Sequence, residues 1–164
     1  MRLPALYWLE LGNNSIGQAG AAALAAHAWT GLRSLNLEDN DLGDAGAATL
    51  AAVRLPALDW LELGNNSIGQ AGAAALAVGT WPDLRSLDLR YNAIGDAGAA
   101  ALSLSWPGLQ DLYLAGCGLG PAGVAALAGA NWPLRMLVLF KNDVTADDKR
   151  RLRAAFPGLP LYLA

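Results

Sequence analysis

The chain has one histidine, His27, and one cysteine, Cys117. Nucleophilic catalysis needs a base within hydrogen-bond reach of the nucleophile. His27 and Cys117 stand ninety positions apart on opposite halves of their sequence units, and the coil count between them corresponds to about 19 Å of strand spacing. No His-Glu-x-x-His, paired Cys-x-x-Cys or Gly-Lys-Ser/Thr stretch occurs, so zinc and nucleotide chemistry lack their ligands and no cofactor is expected. Glu38-Asp-Asn-Asp-Leu-Gly-Asp44 has the acid density of a calcium loop. A loop starting at Asp39 would need Gly at residue 44 and Glu at residue 50, where the chain has Asp44 and Leu50. That segment reads instead as a solvated turn, with Asp44 placed to cap the helix after it. Gly116-Cys-Gly-Leu-Gly120 lacks the last glycine of a dinucleotide loop. No catalytic residue and no metal ligand is assigned, and the chain is read as a non-enzyme.

Binding chemistry is better represented. Trp8-Leu-Glu10 recurs as Trp60-Leu-Glu62, an aromatic and an acid at alternate positions. Residues 2–25 and 54–77 align without a gap and differ only at Tyr7 against Asp59. The elements that carry these side chains come from a shorter repeat. The pattern Leu-x-x-Leu-x-Leu-x-x-Asn begins at residues 6, 32, 58, 84, 109 and 134, with Cys117 replacing Asn once. An aliphatic residue follows two places later (Ile16, Leu42, Ile68, Ile94, Leu119, Val144), then a Gly-Ala-rich stretch ending on Leu24, Leu50, Leu76, Leu102, Leu127 and Leu152.

The first half of each unit alternates with period two and predicts a strand; the second predicts a helix. Pro82, Pro107, Pro133 and Pro157 follow Trp81, Trp106, Trp132 and Phe156 where each helix must stop. One strand and one helix cannot bury their own apolar faces, so units must stack, strands in one parallel sheet and helices behind it. The expected fold is a right-handed α/β solenoid, a horseshoe arc of six repeats of 25–26 residues, treated as one domain over residues 1–164. The Asn position should satisfy backbone groups of adjacent coils, with Cys117 as a buried weak donor in the same ladder.

These motifs resemble leucine-rich repeats, and more narrowly the ribonuclease-inhibitor-like class, in which helices back the strands. Leu58 to Leu76 carries the resemblance. The Gly-Ala-x-x-Leu-Ala segments Gly20 to Ala25 and Gly72 to Ala77 are also similar to a bacterial effector subclass of these repeats. The resemblance implies binding of a protein partner.

After Val144, residues 145–164 read as a C-terminal cap: Thr145 caps a polar helix with acids in its first turn and basic residues toward its end. Met1 enters at the position Val53 holds in the third unit, with no N-terminal cap, so the first strand is expected to offer an open edge for association.

Composition narrows the function. Apolar residues are 54% and charged residues 15%, which excludes disorder. The longest apolar run, Ala19 to Trp29, is too short to span a bilayer and contains Gly20 and His27. One cysteine and no leader-like start make a cytoplasmic setting the default. The net charge of −3 disfavours nucleic acid; residues 1–132 hold five basic against eleven acidic side chains, residues 133–164 six against three.

Strand alternation sends the residues flanking the inward leucines to the concave side. The candidate contacts there are Trp8, Glu10, Glu38, Trp60, Glu62, Asp88, Tyr91, Asp111, Tyr113, Met136 and Phe140. Acids interleaved with large aromatics suit a basic protein or peptide, charge steering the encounter and the rings forming the buried anchors. The alternative is an architectural role, as a subunit or fragment of a larger array that associates through its alanine-rich helices or its first strand.

Overall fold

The structure is a computed structural model that describes residues 6–163. Strands and helices alternate throughout: β1 (Trp8–Glu10), α1 (Gly17–Ala25), β2 (Ser34–Asn36), α2 (Gly43–Ala51), β3 (Trp60–Glu62), α3 (Gln70–Ala77), β4 (Ser86–Asp88), α4 (Gly95–Leu102), β5 (Asp111–Tyr113), α5 (Pro121–Ala128), β6 (Met136–Val138), α6 (Ala146–Ala155) and β7 (Leu161–Tyr162). The strands form one parallel sheet in chain order. Trp8, Ser34, Trp60, Ser86, Asp111 and Met136 fall in register across it, as do Glu10, Asn36, Glu62, Asp88, Tyr113 and Val138. The fold is the expected α/β repeat solenoid. The seventh strand was not foreseen: β7 pairs Leu161 with Leu137 and Tyr162 with Val138, covering the edge of β6. The reading of Met1 as entering without a cap lies outside the described residues.

The middle leucine of each strand, its partner two places on and the aliphatic residue after the Asn turn fill one continuous core; Leu61, Leu63, Ile68, Leu87, Leu89 and Ile94 are fully buried. Removing a leucine side chain from water contributes roughly 2 kcal/mol, so stacked coils together supply what one unit cannot.

Asparagine stitches the coils. Asn66 Nδ2 donates to the carbonyls of Leu37 (2.7 Å), one coil back, and Gly64 (3.0 Å), while its Oδ1 accepts from the backbone N–H of Asn40 (3.1 Å). Asn40, Asn92 and Asn142 repeat this arrangement. Cys117 keeps the donor half, its thiol facing the Leu89 carbonyl at 3.1 Å. Burial pushes that thiol up to about 12, against the opposing influence of the Asn92 N–H.

Tryptophan does the same where the helices end. The indole N–H groups of Trp81, Trp106 and Trp132 donate to the carbonyls of Val53, Gly79 and Ser105, each one coil back, and the Trp81 and Trp106 rings stack at 5.8 Å. The sequence repeats in pairs of coils as well as singly. Gly17, Gly43 and Gly95 lead into α1, α2 and α4 in the left-handed region, and their N–H groups donate to the carbonyls of Asn40, Asn66 and Cys117. Gly69 and Gly120 precede α3 and α5 in extended conformation, and their N–H groups donate back to Asp44 and Asp96. Asp44 therefore caps the helix of the next coil. This corrects the expectation that it caps α2, and the reason is reach: one residue into its own helix, it lies beside the free N–H groups that start α3.

Candidate recognition face

The sheet's concave surface divides into two halves of different character. In coils one to three, Trp8 is 71% exposed and Trp60 44% exposed, with the small, half-buried Ser34 between them in register. Two bulky rings on alternate strands over a small residue leave a gap, and a cleft of about 490 Å³ opens there. Tyr7, Trp8, Glu10, Arg33, Ser34, Asp59, Trp60 and Glu62 line it. The Trp60 indole N–H donates to Glu62 Oε1 at 2.8 Å, which fixes one wall. Glu62's carboxyl is raised, chiefly by burial, with Asp88, Glu10 and Glu38 adding to it against the Trp60 hydrogen bond. Glu38 reaches over the next coil, its Oε1 lying 3.3 Å from where a side chain on Gly64 would begin. Glu10, Glu38 and Glu62 thus concentrate negative charge beside aromatic surface.

Coils four to six balance their own groups. Asp88 was expected as an open acid, but it is buried and paired: Arg90 Nε donates to its two oxygens at 2.8 and 3.0 Å, and an Arg90 terminal nitrogen lies 2.5 Å away. The Arg90 guanidinium also lies 5.6 Å from the centre of the Tyr113 ring. The Asp88 bond raises Arg90's pKa further, so its charge is permanent. Burial foremost, with Asp111 next, raises the Tyr113 hydroxyl. Asp111 faces Arg135 at 3.8 Å. The Lys141 ammonium lies 5.1 Å over the ring of Tyr91. Met136 and Phe140 are half-buried at the sheet's far end.

The residues ahead of Asn in each unit bend the chain out of the sheet. Asn13, Asp39, Asn65, Tyr91, Gly116 and Lys141 all have φ between 51° and 63°. Asn and Asp tolerate this region readily; tyrosine and lysine are strained there. The Tyr91 ring is accommodated because it lies over Gly116, where an added Cβ would come within 2.8 Å of it.

The structure gathers Trp8, Glu10, Trp60 and Glu62 around one cleft, places Glu38 beside it, and sets Asp88, Tyr91, Asp111, Tyr113, Met136 and Phe140 apart from it. Tyr7, Arg33 and Asp59 also line the cleft, and strand alternation does not point to them because each lies just ahead of its strand. These three precede the strands at a kink, where one carbonyl serves two donors: the Tyr7 carbonyl accepts from the N–H groups of both Arg33 and Ser34. The difference between Tyr7 and Asp59, alone in an otherwise duplicated block, was the available signal.

Among the described residues no group of three or more His, Cys, Asp or Glu side chains is arranged to hold a metal ion, and no helix is long and apolar enough to cross a membrane. A family model described as Leucine Rich repeat matches residues 30–51, 82–103 and 109–128. No curated protein matches the chain significantly.

Proposed function

We propose that this chain, a leucine-rich-repeat protein, is a non-catalytic recognition module that binds a basic protein or peptide on its concave face. Leucine-rich repeats are commonly protein–protein interaction modules. The observation that carries the reading is the cleft between Trp8 and Trp60, where exposed aromatic walls stand beside Glu10 and Glu62, neither of which is in a salt bridge among the described residues. Aromatic side chains with a polar handle are the preferred anchors of interfaces, and unneutralised acids bias association toward positive partners. The helix-backed units of 25 and 26 residues support placement in the ribonuclease-inhibitor-like class. The lone, buried thiol suits a reducing, cytoplasmic setting.

A second reading rests on the opposite side. Val78 and Leu104 are 76% and 90% exposed at equivalent positions of consecutive coils, beyond the ends of α3 and α4. With the exposed alanines of the helices they form an apolar strip suited to packing in a larger assembly.

Affinity capture from lysate of the source organism separates the two. Wild type is compared with a folded Trp8→Ala, Glu10→Lys, Trp60→Ala, Glu62→Lys variant. Loss of a captured protein by the variant supports concave recognition; its retention overturns that reading and favours the helix side, where Leu104→Glu should then abolish capture.

A further inference from the structure

The concave face already contains one worked solution for holding a guanidinium. Arg90 is bound through Nε and a terminal nitrogen to Asp88 and rests against Tyr113. Sheet register places Glu62 beside Asp88, and Glu10 two strands further along the same row. The position two places on, occupied by Arg90 in the fourth coil, is Gly12 in the first and Gly64 in the third. Glu10 and Glu62 are therefore carboxylates of the Asp88 kind beside aromatic surface, with no arginine of their own coil to meet them. The nearby Glu38 adds a further negative charge, and Arg33 is the one cation among the described residues lining the cleft.

We infer that the cleft between Trp8 and Trp60 takes the guanidinium of an arginine side chain from a basic partner, stacked against the indoles and hydrogen-bonded by the carboxylates of Glu10 and Glu62. The inference rests on the concave-recognition reading and names its ligand chemistry. The dimensions agree: strands two apart are separated by about 9.6 Å, and a planar group with a ring on each side needs roughly 3.5–4 Å per contact, so the indoles close the remainder by leaning. Ser34, small and central, leaves the floor open. Arginine fits better than lysine because its planar fork can donate to two carboxylates while stacking, and it sheds water more readily than an ammonium. A neutral group of the same shape would leave the excess of acids over Arg33 uncompensated.

Indole N–H signals in nitrogen-15 correlation spectra provide the test, since Trp29, Trp81, Trp106 and Trp132 donate to backbone carbonyls and serve as internal controls. The probes are blocked amides of arginine, lysine and citrulline, the last a neutral near-isostere of arginine. The expected result is saturable movement of the Trp8 and Trp60 signals with arginine, at least fivefold weaker binding of lysine, and no saturation with citrulline. Gly64→Arg supplies an internal occupant and should weaken arginine binding at least tenfold while the four control signals stay in place. Equal response to citrulline, no response of the two indoles to arginine, or unchanged binding by Gly64→Arg overturns the assignment. Failure of concave recognition shows elsewhere, as capture that is indifferent to the four-residue variant.

Discussion

The Asp44 carboxylate crosses from one coil to the next and accepts from the backbone N–H groups of Gly69 and Gly72 through one oxygen, at 2.7 and 2.9 Å. Gly72 permits it: a Cβ there would lie 2.5 Å from the same oxygen. A helix start whose own residues offer no side-chain cap is thus completed by its neighbour. Asp44→Ala should cost about 1–2 kcal/mol, in the range of a lost N-cap. Asp96 accepts only from Gly120 among the described residues, so Asp96→Ala should cost less. Chemical denaturation of the two variants gives the order.

Position along the asparagine ladder sets the cost of breaking it. Asn66 is fully buried, and Asn66→Ala strands the Leu37 carbonyl and the N–H groups of Asn40 and Leu42 without water, while the Gly64 carbonyl keeps the Asp39 N–H. At about 1–3 kcal/mol for each group left unpaired, the loss should exceed about 3 kcal/mol. Asn14 is exposed, so Asn14→Ala should cost under about 1 kcal/mol because water replaces the amide. Thermal unfolding of the pair measures the contrast.

Tryptophans on opposite sides of the sheet should respond oppositely to truncation. Trp81 is buried, stacked on Trp106 and bonded to Val53, so Trp81→Ala should cost about 3–5 kcal/mol. Trp60→Ala should leave stability within about 1 kcal/mol and remove binding instead. Melting temperatures alongside peptide titration check both.

Cys117 should be inert. Its thiol is buried and its pKa is pushed up to about 12, so thiolate is scarce at neutral pH. Native protein should resist a disulfide-exchange reagent at pH 8 and react only as fast as it opens, with full modification in denaturant.

Partner affinity should depend on pH through Glu62. Burial, helped by Asp88, Glu10 and Glu38, raises this carboxyl's pKa against the Trp60 hydrogen bond. A cation binds the ionised form, so affinity should be greatest above the raised pKa. As pH falls through it, affinity should decline, starting at a higher pH than for an ordinary carboxylate. The stability sign is opposite: a carboxyl raised by folding opposes the folded state above its pKa and ceases to do so below it. Glu62→Gln should therefore weaken binding, flatten its pH profile and leave stability at neutral pH unchanged or slightly higher. Titrations from pH 4 to 8 on both proteins decide it.

Local pattern was enough for the architecture. Leucine spacing, the Asn turn and the alanine-rich helices repeat at a constant period, so every unit meets the same packing problem and reaches the same answer. The concave row containing Trp8, Glu10, Trp60 and Glu62 was legible for the same reason, because alternation is a property of the strand itself. Contacts between coils were not legible. Asp44 reads as the cap of its own helix until the next coil is placed beside it. Asp88 reads as an open acid until Arg90, two residues on, is seen to fold back onto it and against Tyr113. Tyr7, Arg33 and Asp59 join the cleft only through the kink ahead of the strands. β7 is too short to announce itself and exists because β6 presents an edge for Leu161 and Tyr162 to pair with. Periodicity along the chain determines what each coil is; which side chains end up satisfied or left free depends on the neighbouring coil, about 4.8 Å away in space but some 25 residues away in sequence.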